Sequence, residues 1–107
     1  MAVRSAEIHG IDHRASGSAV VYQQPDASFV VGLECIDIQP GPDYDVYVVP
    51  GADRESLGDA IRLDDLRGNK GTQYYVVPAG TDLTGGPWTV LVWCETFDVP
   101  VAGATPA

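Results

Sequence analysis

The sequence predicts a small all-β domain, an antiparallel β-sandwich or barrel-like fold of about seven strands. Short runs of β-branched and aromatic residues recur along the chain, as they do in strands. Twelve glycines and eight prolines separate these runs at short intervals, which favours turns over long helices. The chain has 107 residues, of which 45% are hydrophobic, so it is long enough for one core but not for two.

Six segments have the composition of strands. One of them, residues 57–66, has an apolar spacing that also fits a short helix. Gly58 disfavours that helix by about 1 kcal/mol relative to alanine, so a short strand with turns is the preferred interpretation. The predicted strand segments are residues 16–22, 29–38, 43–49, 57–66, 73–77 and 88–99.

The last of these segments, residues 88–99, is predicted to be the longest strand. Val90, Val92 and Cys94 alternate with Leu91 and Trp93, so both faces of this strand are apolar. Such a strand usually lies in the middle of a sheet, covered on both sides. The sequence therefore predicts that Cys94 is buried in a central strand.

The ends of the chain are predicted to contribute little. Residues 1–12 mix charged and small residues and are expected to form a flexible lead-in, so that the β domain spans residues 13–104. The tail from Pro100 is expected to add little beyond Val101. In the segment 29–38, strict alternation would place Cys35 on the same face as Leu33.

The charge of the chain excludes some partners. The formal net charge is −9, which repels phosphate backbones and anionic lipids, so we expect no nucleic-acid binding. No run of 18 apolar residues exists, so this segment is not expected to insert into a membrane. Residues 1–9 lack the apolar region of a signal peptide, which fits either a cytoplasmic protein or a fragment from which a signal or anchor was removed.

The chain contains two cysteines, Cys35 and Cys94. A disulfide between them would close a loop of about 60 residues and stabilise the fold by about 4 kcal/mol in the chain-entropy model. It requires the two Cα atoms to lie within about 7 Å of one another. The sequence leaves both states open, a bonded pair or two free thiols. It contains no Cys-x-x-Cys and no His–Cys cluster, so no metal site is predicted.

Five short segments of the chain form an ordered pattern: residues 16–21, 41–48, 66–75, 77–83 and 90–99. Taken in this order, they resemble the DM13 domain family, and the similarity covers about residues 13–104. The resemblance implies a β-rich domain located outside the cytoplasm, secreted or anchored in an envelope protein. It also implies electron transfer or redox chemistry through one characteristic cysteine, which matches Cys94, either as a bare thiol or with a cofactor such as haem.

The residues around Cys94 do not by themselves explain such chemistry. None of its neighbours is a cation, and the carboxylate of Glu95 would disfavour a thiolate. A thiol alone is also a poor one-electron carrier, so electron transfer would need haem, a metal or a partner disulfide. His13, at the start of the DM13-like region, is the remaining candidate ligand, with a solvated loop histidine as the simpler interpretation.

Two further groups of side chains have a simple structural interpretation. Six aromatic residues are candidates for lining a flat cofactor or a sugar. Packing in the core and on the sheets is the simpler interpretation. Four aspartates are candidate calcium ligands. They lack the EF-hand spacing, so charged residues in solvated loops are the better interpretation. The aromatic residues are Tyr44, Tyr47, Tyr74, Tyr75, Trp88 and Trp93, and the aspartates are Asp43, Asp45, Asp64 and Asp65.

Two functional hypotheses follow. In the first, the domain is an extracytoplasmic, non-hydrolytic redox or electron-transfer module centred on Cys94, with a protein partner and either haem or no cofactor. In the alternative, a Cys35–Cys94 disulfide staples a binding or structural module of an envelope protein. The sequence contains no Ser-His-Asp order beside a nucleophile turn and no phosphate-binding loop, so no catalytic residue is assigned and no independent enzymatic activity is expected.

Overall fold

The computed structural model describes residues 1–107 and contains nine strands and no helix. The strands form two antiparallel sheets. Sheet A has the order β1-β3-β4-β7, and sheet B has the order β2-β9-β8-β5-β6. The strands are β1 (Ala2–Glu7), β2 (His9–Gly10), β3 (Ala15–Gln23), β4 (Phe29–Ile38), β5 (Tyr44–Pro50), β6 (Ile61–Asp65), β7 (Lys70–Val76), β8 (Trp88–Cys94) and β9 (Val99–Ala104).

The predicted all-β sandwich is confirmed, with nine strands rather than about seven. The inward-facing residues of both sheets form one core of 20 buried residues, which includes Val31 and Leu33 from sheet A and Val46 and Val92 from sheet B. Neither sheet closes on itself, so the fold is not a barrel. No segment forms a helix of the length and apolarity needed to cross a membrane.

Strand β8 lies at the centre of sheet B, between β9 and β5, as its apolar faces predicted. Val90, Val92 and Cys94 face the core between the sheets. Leu91 and Trp93 face the other side, where they form a smaller buried cluster that the segment between β5 and β6 helps to cover. The predicted assignment of these five side chains to two faces is therefore confirmed.

The C-terminal part of the chain differs from the expectation. The strand predicted for residues 88–99 ends at Cys94, and residues 95–98 form a turn in which Asp98 has a φ of 55°. The chain then returns as β9, which pairs with both β8 and β2. The expectation that the tail adds little beyond Val101 was wrong, because Ala102 and Ala104 are buried in the core together with Val101.

The N-terminal part also differs from the expectation. The predicted lead-in of residues 1–12 contains β1, which pairs with β3, and β2, which pairs with β9. Ile8 lies between these two strands and is 8% exposed, as part of the core. The chain therefore crosses from sheet A to sheet B at Ile8, and the first residues belong to the sandwich. Their mixed polarity reflects edge strands that face solvent on one side.

A β-bulge interrupts β4 at Cys35. Two residues of β4, Glu34 and Cys35, face the single residue Thr72 of β7. Cys35 has a φ of 52°, and its backbone N–H donates to Thr72 Oγ1 at 3.0 Å. The extra residue shifts the alternation by one, so Ile36 is buried and Cys35 is exposed. The predicted shared face of Leu33 and Cys35 was wrong for this reason.

Gly17 of β3 lies across from this bulge and has a φ of 119°. A Cβ atom at this position would lie 2.8 Å from Ile36 Cα and 2.9 Å from the Glu34 carbonyl oxygen. The close approach of two backbones therefore requires glycine at residue 17 for its conformation and for its missing side chain.

Replacing Gly17 with alanine should therefore cost more than replacing another glycine of positive φ. Gly71 provides the control, because its φ is 100° but no atom would lie within 4 Å of a Cβ atom added there. We expect G71A to lower the free energy of unfolding by about 1–3 kcal/mol through backbone strain alone. G17A should lose a further 1–3 kcal/mol, roughly, through the added clash. Urea denaturation measures both, and equal losses would contradict the role of the bulge.

Candidate functional site

Cys94 is the last residue of β8 and lies directly opposite Tyr44 of β5. Its side chain belongs to the core and is 2% exposed. The thiol donates a hydrogen bond to the carbonyl oxygen of Pro42, at 3.2 Å. The loop that precedes β5 therefore lies over the sulfur and separates it from solvent.

A cavity of about 370 Å³ opens beside this loop. One wall consists of Pro40, Gly41, Asp43 and Tyr44, and the other consists of residues 65–69. We call it the Tyr44 cleft, because Tyr44 both forms its wall and pairs with Cys94. Gly41 makes room for the tyrosine, since a Cβ atom there would lie 2.2 Å from the Tyr44 hydroxyl oxygen.

Hydrogen bonds hold the two walls of the Tyr44 cleft together. The Tyr44 hydroxyl donates to the Gln39 carbonyl at 2.9 Å, and the Leu66 N–H donates to the Tyr44 carbonyl at 2.9 Å. The Ile38 N–H donates to the Asn69 carbonyl at 2.8 Å. Three of the five segments that resemble the DM13 domain, 41–48, 66–75 and 90–99, thus meet at one end of the sandwich.

The structure does not bring the two cysteines together. Cys94 is buried in sheet B, whereas Cys35 is exposed at the bulge of sheet A, and both are free thiols. The disulfide between them that the sequence left open is not formed here. A regular strand would have turned Cys35 toward the core, whereas the bulge places its side chain on the surface of sheet A.

His13 lies in the bend between β2 and β3 and is half-buried. Its Nδ1 atom is 2.7 Å from the carbonyl oxygen of Ile11, which is a hydrogen bond when Nδ1 carries the proton. His13 does not line the Tyr44 cleft. It therefore forms no ligand pair with Cys94 through that cavity.

The surroundings of Cys94 do not fit a haem. A porphyrin needs a pocket with mostly apolar walls, but only two of the nine residues that line the Tyr44 cleft are hydrophobic. The sulfur itself is covered by the loop that carries Pro42. The chemistry available at Cys94 is consequently that of a protected thiol.

An acidic cluster lies at the same end of sheet B. Carboxylate oxygens of Asp43, Asp45 and Asp65 lie within 4.8 Å of one another. The guanidinium of Arg62 contacts Asp45 at 3.2 Å and Asp65 at 2.6 Å, so a cation from the chain already neutralises part of this charge. The hydrogen bond to Asp45, together with burial, raises the pKa of Asp65.

A tyrosine–carboxylate pair lies on the outer side of sheet B, opposite the core. The Tyr47 hydroxyl donates a hydrogen bond to Oε1 of Glu95, the residue that follows Cys94. Burial and this hydrogen bond raise the pKa of Tyr47 to about 12. Trp93 lies next to Tyr47 on this side, and its indole N–H is buried without a hydrogen-bond partner. No sequence pattern indicated the Tyr47–Glu95 pair, because its members are 48 residues apart.

Removal of Arg62 should destabilise the fold, because the Asp45 side chain is only 7% exposed and would keep an unpaired charge. Breaking a buried pair is costly for this reason, whereas an exposed pair contributes little. R14Q is the control, since the Arg14–Asp37 pair is exposed on both sides. We expect R62Q to lower the free energy of unfolding several-fold more than R14Q does. Equal losses in urea denaturation would contradict this assignment.

Tyr47 also predicts a loss of stability at high pH. The folded protein raises the pKa of Tyr47 from 10.0 to about 12, so the folded state keeps a proton that the unfolded state releases. The stabilisation of the folded state by protonated Tyr47 is complete below pH 10 and is lost as the pH rises toward 12. Y47F should therefore show a smaller drop in urea midpoint across this interval than the unmodified protein. An unchanged drop would mean that Tyr47 titrates normally.

Comparison with known proteins agrees with the resemblance found in the sequence. The profile of the family described as electron transfer DM13 matches residues 7–105, nearly the whole chain. Searches of curated proteins and of solved structures found no match. Because the match covers nearly the whole chain, including every wall of the Tyr44 cleft, the chain belongs to the DM13 electron-transfer family.

Proposed function

We propose that this domain exchanges electrons with a protein partner through the thiol of Cys94, outside the cytoplasm. The family description supports the electron transfer. The observation that supports Cys94 is its position, because three DM13-like segments meet around it and the Tyr44 cleft opens beside it. The location outside the cytoplasm is what the resemblance implies, and it is also where partner disulfides persist.

The proposed chemistry is thiol–disulfide exchange. The Cys94 thiolate attacks one sulfur of a partner disulfide, a bond forms between these two sulfurs, and the other partner sulfur leaves as a thiolate. The Cys94 sulfur is thereby oxidised and the leaving sulfur is reduced. A thiolate from a second partner then attacks the partner sulfur bound to Cys94, and a disulfide forms between the two partner sulfurs. The Cys94 sulfur leaves as a thiolate and takes up a proton from water. Cys35 lies on the other sheet, so the intermediate is a mixed disulfide between two proteins.

Access to the sulfur requires movement of the loop at residues 39–43. The Cys94 side chain is 2% exposed, and Pro42 covers it through the thiol–carbonyl hydrogen bond. A solvated reagent therefore reaches the thiol only when this loop opens. The polar walls of the Tyr44 cleft suit a partner segment that binds there and promotes the opening. Burial would then protect the thiol from unselective oxidation.

Glutathione disulfide provides a direct test. Cys35→Asn removes the exposed thiol, and asparagine tolerates the positive φ of this position better than most residues. We expect mass spectrometry to find one glutathione adduct on folded C35N, at Cys94, formed more slowly than on the urea-unfolded chain. Cys94→Ser, which keeps Cys35, reports the rate of the exposed thiol alone.

The same experiment separates access from reactivity. Pro42→Gly loosens the covering loop and should increase the rate of adduct formation at Cys94 several-fold in a C35N background. Alanine at the exposed loop residue Pro25 would be a control of similar chemistry that leaves this rate unchanged. Absence of any adduct on folded C35N and on its P42G derivative, with full reaction after unfolding, would exclude Cys94 as the redox group.

A further inference from the structure

The Tyr47–Glu95 pair has the arrangement of a redox-active tyrosine. Tyr47 is half-buried on the outer side of sheet B, and its hydroxyl proton points at Glu95. Glu95 is also half-buried and is fixed by its backbone N–H, which donates to the Asp43 carbonyl at 2.9 Å. Both groups are held by the backbone of sheet B and of the turn that follows it, so the hydrogen bond needs no rearrangement to form.

A phenol loses an electron readily only when its proton leaves at the same time, because the protonated radical is a very strong acid. A carboxylate within hydrogen-bond reach is the usual kind of proton acceptor for such a step. Tyr47 meets this condition through Glu95. Its raised pKa means that the proton is still present at neutral pH, so a base must accept it during oxidation.

We propose that Tyr47 is a one-electron redox site of this domain and that Glu95 accepts its proton. In the oxidation, one electron passes from the phenol to a one-electron oxidant on the partner. The proton moves from the Tyr47 hydroxyl to Glu95 Oε1, which leaves a neutral tyrosyl radical and a protonated carboxyl. Reduction returns the electron and the proton by the same route. The proposal rests on the electron-transfer function but needs no reaction at Cys94.

The charges around Tyr47 favour this oxidation. Loss of an electron makes the site one unit more positive, which the carboxylate of Asp45 stabilises and the guanidinium of Arg62 opposes. The net charge of −9 acts in the same direction as Asp45. Trp93 belongs to the cluster against which Tyr47 packs and is 7% exposed, so a second oxidisable ring lies on the same side of sheet B as Tyr47.

The other sheet contains a matched pair that serves as a control. The Tyr22 hydroxyl donates to Glu34 Oε2 on the outer side of sheet A. The ring of Tyr22 contacts Tyr74, with ring centroids 6.2 Å apart, and Tyr74 is 51% exposed. Tyr22 is half-buried like Tyr47 and has the same kind of hydrogen bond, but its neighbour Tyr74 is exposed, whereas Trp93 beside Tyr47 is buried. A radical at Tyr22 would be open to solvent and short-lived.

The test uses photogenerated tris(bipyridine)ruthenium(III) as the one-electron oxidant and the full chain. Electron paramagnetic resonance and transient absorption should show a long-lived tyrosyl radical in the unmodified protein and in Y22F, and in Y47F only the short-lived signal of Tyr22. E95Q should slow radical formation by about a hundredfold, the usual size of a positioned proton acceptor's effect. In E95Q the rate should also rise with buffer base concentration, because the proton must then leave to solvent. E34Q should change neither the rate of formation of the long-lived radical nor its dependence on buffer base.

Two further results decide the proposal. A radical yield in Y47F equal to that of the unmodified protein, or equal slowing by E95Q and E34Q, would overturn it, provided that circular dichroism shows folded variants. C94S and Y47F separate this proposal from the thiol proposal. The radical should persist in C94S, and the glutathione adduct should persist in Y47F, so failure of one site leaves the other measurable.

Discussion

Burial of both faces of β8 is the constraint on which the rest of sheet B depends. Val92 on the inner face and Leu91 on the outer face each contribute about 1.5–3 kcal/mol only when covered, so β8 must lie between two strands and beneath a loop. β5 and β9 supply the neighbours, and the segment around Leu57 supplies the outer cover. The end of this rigid strand fixes Cys94 at the point where the loops meet.

The alternation of β8 continues into the residue after it, so two neighbouring side chains with different chemistry face opposite sides of sheet B. Cys94 faces the core beneath Pro42, whereas Glu95 meets Tyr47 on the outer side. A thiol suits two-electron exchange with a disulfide, and a hydrogen-bonded phenol suits one-electron transfer with proton movement. The same backbone positions both groups, but the sheet lies between them. Each site therefore has its own surroundings and its own route to solvent.

The parts of the fold that depend on local patterns were predictable from the sequence. The apolar faces of β8 follow a period of two, and both were assigned correctly. The bulge at Cys35 was not predictable, because a cysteine with positive φ has no local signal and Gly17, its partner across the strand, is an ordinary strand glycine in sequence. The turn after Cys94 was missed because Phe97 and Val99 are both strand formers. Long-range pairs such as Tyr47–Glu95 need the register of β5 against β8.

The bulge has a consequence for the chemistry of Cys94. In a small domain with two cysteines, oxidation would trap the thiol proposed for exchange in an internal disulfide if the second cysteine came within bonding distance. The bulge turns Cys35 to the surface of sheet A, while Cys94 remains in the core of sheet B. In the proposed exchange, a mixed disulfide at Cys94 therefore has no neighbouring thiol of its own chain to resolve it, and the resolving thiol comes from a partner.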